Sequence, residues 1–578
     1  MTDPKRIPEQ GKLQEKETSS QGQGAGLASN KYYLYAYALN STLSRLKHYK
    51  CDEARPFCGR CAKAEWKCEY PSDTSGRPVV GHTQVSKLAP KPALVPIKTN
   101  PDDGNYLQYA HSLYNHNPVA SFQIPLWSLL LQLAQCEPCI RHITIGTVMM
   151  HHVSAGGTQD PKKSNRQQIL NAGLGHYGNS IKALQRLLNR ANGKADKATW
   201  EISILASYLM SSFETLVGDE ESAFNQMQSG FNLVKNRLVD HKFDAEHAGN
   251  LEELAYAFNR LDIRLSTYDA SYHTKALIEP KVPESFRTLT HAKHVLEAII
   301  PNILVLIRIP SQETNIPRTF PGENIPLEVL SKLKGFKDLL QKWFQNLKKL
   351  SATLGLNLSA PAFGPLNIRA HSSHHVLMNQ YWMCVIWLET AFSTSQTAFD
   401  PFFPIFSEIT RLAELIITMQ PERQCLWQKH KFYYTAETPF LHPLFYTAQK
   451  CRDGRLRRRA LHLLKLAGSE GVFEGRSSAA AVEWVIEQEE AGLPEGVIGS
   501  VDPNSGGYVE ERWRMRGADI RINRLAKSLD ITCTRVGADG VEEVVMGKTT
   551  WIQRCNHHQK PNIVEDSKKD LQKASFFG

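Results

Sequence analysis

The sequence has few long apolar runs. Stretches such as Ile124–Leu133 (IPLWSLLLQL) reach about half of the roughly 20 residues a membrane-spanning helix needs. Met1 leads into polar residues with no apolar core of a secretory signal. The expectation is a soluble, intracellular protein with no membrane partner. Catalytic fingerprints are also missing: no G-x-S-x-G, P-loop or dinucleotide fingerprint emerges, so no enzyme is expected. Cysteine is sparse, at 11 in 578 residues. In a reducing compartment such thiols are free or bind metal rather than forming disulfides. Neither sign of charge dominates, because 68 Lys and Arg against 58 Asp and Glu leave +10. That excess permits an anionic partner without requiring one.

What is present is unevenly distributed. Apolar residues at 42% and charged residues at 22% are ordinary for a globular protein, and the length allows more than one folded unit. Residues 1–40 are rich in Gln, Gly, Ser, Lys and Glu, lack periodicity and read as a disordered N-terminus, apart from the aromatic KYYLYAYAL at 31–39. A cysteine cluster fills 41–70. Residues 71–104, rich in Pro, Lys, Gly and Ser, read as a linker. They hold no apolar heptads, so no coiled-coil dimer is visible there.

From 105 to 495 the pattern is helical. Ile181, Leu184, Leu187 and Leu188 recur on one face, and 198–216 and 222–238 read as two helices joined by VGDEE. The cleanest stripe is Leu333, Phe336, Leu340, Trp343, Leu347 and Leu350 within 327–350, with lysines opposite that read as a solvated surface. Residues 496–578 form a tail in which LDITCTRV (529–536) and VEEVVM (541–546) flank a GADG turn, a hairpin signature. The fold class is therefore mostly α: a small cysteine module, a linker, a large all-α domain and a short β-containing tail.

The most specific feature is RLKHYKCDEARPFCGRCAKAEWKCEY, residues 45–70. Cys51, Cys58, Cys61 and Cys68 are spaced C-x6-C-x2-C-x6-C. Zinc takes four thiolate or imidazole ligands tetrahedrally. Cys58-Gly59-Arg60-Cys61 is the tight turn that aims two thiolates at one ion, with Gly59 giving it backbone freedom. Pro56 stiffens the preceding loop. The surrounding Lys and Arg offset the thiolate charge and are placed to meet phosphates.

These residues resemble the fungal Zn2Cys6 binuclear zinc-cluster transcription factors, in which six cysteines hold two zinc ions and the first and fourth bridge both. The resemblance implies that Cys51, Cys58, Cys61 and Cys68 are metal ligands, the last four of the six. It implies base-reading roles for Lys47 and His48 and phosphate contacts for Arg45 and Lys50. It further implies a nuclear, zinc-dependent, sequence-specific regulator of RNA polymerase II genes. Its partners would be DNA with CGG-like half-sites, a second copy as a homodimer, and the transcription machinery. Ser41 and Ser44 stand where the first two cysteines belong, and serine is a poor zinc ligand beside thiolate. Three readings stay open: the text before Arg45 is a mis-assembled exon, the finger has lost its function, or a mononuclear finger works. They correspond to two, no and one zinc. The alternative function is a helical regulatory or interaction protein with a vestigial finger. Stretches such as GHYGNSIKALQRLLN and TPFLHPLFYTAQKCRDGRLRRRALHLL resemble the same family's helical regulatory domain.

Other motifs read as structural. Cys136-Glu137-Pro138-Cys139 has no thioredoxin-like context, and His151–His152 and His371–His375 read as core or exposed histidines. Cys555, His557 and His558 allow only adventitious metal binding. Arg452, Arg455 and Arg457–Arg459 read as a solvated basic helix face, with a nuclear-import signal as the lesser reading.

Overall fold

The computed structural model describes residues 101–551 except 117–124, 155–163, 192–195, 241–248, 269–271, 309–324, 357–364, 419–433, 436–439, 471–472, 524–525 and 538–539. The chain divides into two units, Met1–Lys91 and Pro92–Gly578, and every described residue belongs to the second. Helix makes up 72% of the interpretable region, in 14 α-helices, as the periodicity predicts.

In chain order these are α1 (Pro101–His116), α2 (Pro125–Cys136), α3 (Pro138–Ser154), α4 (Ser164–Arg190), α5 (Lys197–Val217), α6 (Glu220–Asp240) and α7 (Gly249–Tyr268). There follow α8 (Leu289–Arg308), α9 (Leu327–Thr353), α10 (Pro365–Thr390), a 3-10 turn (Gln396–Phe402) and α11 (Phe403–Thr418). A short ribbon, β1 (Tyr434–Thr435), β2 (Ser469–Glu470) and β3 (Phe473–Glu474), brackets α12 (Leu441–Lys450) and α13 (Gly454–Leu466). Last come α14 (Gly475–Glu490) and an antiparallel sheet of β4 (Ala518–Asn523), β5 (Ser528–Val536) and β6 (Glu542–Thr550) in the order β4-β5-β6.

Local chemistry sets the joints. Asp196 caps α5 by accepting from the Thr199 N–H at 2.9 Å. The helix ends at Gly218, whose φ of 92° is the left-handed conformation glycine adopts freely. The Asp219 carboxylate then accepts from the Ser222 N–H at 3.0 Å, starting α6. The VGDEE connection is thus a C-cap and an N-cap placed back to back.

The predicted stripe on α9 packs inward. Leu340, Trp343, Leu347 and Leu350 are buried, and Trp343 Nε1 donates to the Ala292 carbonyl of α8 at 2.8 Å. Leu333 and Phe336 are partly buried against the core. Lys332 and Lys342 lie outside and pair with Glu328 and Glu284. One helix exceeds the expectation for apolar length. By length and composition α8 could cross a membrane, but most of it is buried inside the helical domain, and it carries the buried Lys293–Glu297 pair at 3.5 Å.

The predicted hairpin is β5–β6, with Ile531 opposite Gly547. A third strand, β4, pairs with β5 on its other side. Leu529, Ile531 and Cys533 alternate inward and join Ala481 and Val485 of α14, Met515 and Trp551 in a separate small core. At Gly547 any Cβ would collide with the Trp484 ring, so glycine lets α14 lie close on β6.

Candidate functional site

The predicted metal ligands Cys51, Cys58, Cys61 and Cys68 and the predicted DNA contacts Arg45, Lys47, His48 and Lys50 lie outside the described residues, as do Ser41, Ser44, Cys555, His557 and His558. Among the described residues no group of three or more His, Cys, Asp or Glu side chains is placed to hold a metal ion.

The remaining motifs resolve as structure. Cys136 ends α2, where its thiol contacts the Gln132 and Leu133 carbonyls, and Cys139 is buried in α3. Burial pushes the Cys139 thiol up to about 11, the opposite of a reactive thiolate. His151 is buried beside Tyr109, and His371, His374 and His375 are buried in α10. Gly173-Leu174-Gly175-His176-Tyr177-Gly178 spells G-x-G-x-x-G, a pattern the sequence reading passed over, but it lies in the middle of α4 with no strand before it. Gly173 and Gly146 instead let α4 and α3 approach closely. A Cβ on Gly146 would sit 3.1 Å from the Gly173 carbonyl, and one on Gly173 would strike Met150.

The arginine run departs from expectation. Arg455, Arg458 and Arg459 are exposed, and the last two pair with Glu490 and Glu414. Arg452 and Arg457 are wholly buried and converge on the wholly buried Glu489 of α14. Arg452 Nη2 donates to one carboxylate oxygen at 2.8 Å, and Arg457 Nη2 donates to the other at 2.6 Å. The Met515 N–H adds a third bond at 2.7 Å. Burial alone would raise the Glu489 carboxyl, but the two guanidiniums and these hydrogen bonds outweigh it and hold it below its ordinary range.

Around this node the carbonyls at the end of α12 are taken up as well. Arg452 donates to Lys450 O and Arg457 to Ala448 O. Lys450 Nζ donates to Gln396 Oε1 at 2.8 Å and to the Arg516 carbonyl. Burial first, and then repulsion from Arg452, lower its ammonium to about 7. Arg514 donates to Asp400 Oδ1 at 2.7 Å and to Val509 O. The node ties α12, α13, α14, the 3-10 turn and the segment leading into β4 together. Its ion pairs and hydrogen bonds run between the elements it joins, so its role is that of a clamp.

Residues 45–77 match the family model described as the fungal Zn(2)-Cys(6) binuclear cluster domain. The match takes in all four cysteines and the basic run, and it begins just after Ser44. That domain belongs to a family of zinc-binding, DNA-binding transcription regulators that is generally nuclear and not enzymatic. No curated protein and no solved structure matches the chain.

Proposed function

We propose that this chain, which carries a fungal Zn(2)-Cys(6) cluster domain at 45–77, is a nuclear, sequence-specific regulator of genes transcribed by RNA polymerase II. The observation that carries the reading is the C-x6-C-x2-C-x6-C spacing behind a basic run, all within the matched residues. Four thiolates complete the tetrahedral shell of one zinc. Cys51, Cys58, Cys61 and Cys68 are its ligands, and zinc supplies the cross-link that holds the finger folded. A second ion would need thiolates where Ser41 and Ser44 stand. Lys47 and His48 face base edges, and Arg45 and Lys50 face phosphates. Guanines of CGG-like half-sites offer the acceptors such a lysine reads in the major groove. A homodimer would read two such half-sites, and the helical domain would meet the transcription machinery.

Binding to CGG-containing duplexes at several salt concentrations tests these roles. Lys50→Ala should weaken binding to every sequence and reduce the salt slope by about one. Lys47→Ala should relax discrimination at a single base, a loss of about 1–3 kcal/mol. An unchanged sequence preference for Lys47→Ala would remove it from base readout. The second reading, a vestigial finger on a helical interaction protein, is favoured by Ser41, Ser44 and the start of the family match at Arg45. It predicts no duplex binding at any zinc concentration.

A further inference from the structure

In the order β4-β5-β6, strand β6 has a neighbour on one side only among the described residues. Exposure alternates along it. Glu542, Val544, Met546 and Lys548 face outward, while Val545 and Gly547 lie against α14 and the small core. The outward face of the other strands is polar, with Asp519 and Arg521 on β4 and Asp530, Thr532 and Thr534 on β5. On β6 its middle is apolar, with Val544 61% and Met546 75% exposed. Sheets commonly blunt an edge with a proline or a bulge. Here every residue from Glu542 to Thr550 keeps one unbroken register with β5, and none is proline. Hydrogen bonding fixes which backbone groups face out. At the two ends of this ladder the Gly537 N–H donates to the Val541 carbonyl at 2.8 Å, and the Trp551 N–H donates to the Lys527 carbonyl at 3.2 Å. Bonded pairs in an antiparallel ladder recur at every second residue. The odd-numbered residues of β6 therefore turn their N–H and C=O toward β5. Glu542, Val544, Met546 and Lys548 turn theirs to the edge.

The order of residues on this edge makes it complementary to itself. Two copies of one strand can pair antiparallel about a two-fold axis perpendicular to the sheet, and opposed side chains then share a face. The axis must pass between a residue and its own copy. With Val545 opposite Val545, Glu542 falls opposite Lys548 and Val544 opposite Met546, each twice by symmetry. These are also the residues whose backbone groups face the edge, so each such pair can exchange ladder hydrogen bonds. Shifting the axis by one residue spoils the match. Centred on Val544, it sets Glu542 against Met546; centred on Met546, it sets Val544 against Lys548. Lys548 pairs with Asp530 on its other side at 3.2 Å, and both side chains stay more than half exposed. A second carboxylate from the copy would meet a cation still open to it.

We propose that β6 is a homodimer interface, at which two copies of this chain join their C-terminal sheets by antiparallel β6–β6 pairing centred on Val545. The occupant is a second copy because charge meets opposite charge and apolar meets apolar in that one register. The pairing gives a surface to the homodimer of the proposed function. It uses neither zinc nor DNA, so the two readings fail separately.

Sedimentation velocity of the full chain across the micromolar range tests it, with zinc chelated so that association through the cluster is removed. The parent should show a concentration-dependent monomer–dimer equilibrium. Lys548→Glu sets a carboxylate opposite Glu542 on both sides of the axis and should raise the dimer dissociation constant on the order of tenfold or more. Glu542→Lys should do the same. The double variant Glu542→Lys, Lys548→Glu restores opposite charges and should recover the dimer, a rescue that a damaged fold would not give. Met546→Lys, at a side chain 75% exposed, sets an ammonium opposite Val544. It should weaken the dimer likewise, and it serves if Lys548→Glu does not fold. A monomeric parent would overturn the interface; an edge covered by residues beyond Trp551 or by another protein's strand would give that result. A dimer indifferent to the single reversals, or a double variant no better than either, would overturn it too.

Discussion

At the residue scale, Glu489 bears the largest burden. Both of its oxygens are held by guanidiniums inside a wholly buried node, and removing one partner of a buried ion pair leaves the other charge uncompensated. Glu489→Gln should therefore destabilise the chain by about 3–5 kcal/mol in chemical denaturation. A loss within about 0.5 kcal/mol would contradict the clamp. Buried histidines give a second expectation. Burial, before any neighbouring charge, lowers His294 to about 3, His374 to about 4 and His375 to about 3. Between pH 6.5 and about 4 the unfolded chain binds protons on these rings and the folded chain does not. Stability should thus fall as the pH drops, by up to about 1.4 kcal/mol per pH unit for each histidine. Denaturant midpoints measured from pH 7 to 4 read this slope directly. The clamp itself was only half legible in the sequence. Arg457 precedes Ala460 and Leu461 by three and four positions, and Glu489 follows Val485 and Ile486 at the same spacing. Both lie on apolar faces, but nothing in the residue types says that these two faces meet.

At the element scale, periodicity and caps carried most of the information. The two helices around VGDEE and the α9 stripe form as their patterns demand, because a full apolar face leaves one orientation against a core. In the hairpin, β5 forms for the same reason on a period of two, with Leu529, Ile531 and Cys533 inward, whereas Val544 and Met546 of β6 face outward. Strand β4 (ADIRIN) alternates just as strictly, with Ile520 and Ile522 inward. It was missed because six residues beside an arginine-rich segment give little signal. The glycines of α4 were legible as a motif and misleading as chemistry, since their role depends on which helix lies opposite. Gly173→Val should push the end of the Met150 side chain aside and crowd α3, at a cost of about 1–3 kcal/mol. Gly175→Ala, where an added Cβ meets nothing within 4 Å, should be neutral or stabilising. Thermal unfolding of the two variants compares a crowded site with an open one in the same helix. Equal shifts would contradict the close approach.

At the scale of the whole molecule, the residues matching the cluster domain, 45–77, lie in one unit of the chain and the helices in the other. The short domain was legible because metal geometry constrains spacing tightly, so four cysteines in 18 residues identify it. The interior of the large domain was not. Which of its polar residues are buried depends on packing among α8, α9, α10, α11 and α12, and no spacing rule reports that. The central claim is that the cluster domain binds zinc and through it reads DNA. Metal analysis of the purified full-length chain, with a gel shift on a CGG-containing duplex of the same preparation, tests it most directly. The account predicts at least one zinc per chain and a shifted duplex, both lost on chelation and restored by zinc. A chain without zinc that leaves the duplex unshifted would contradict it.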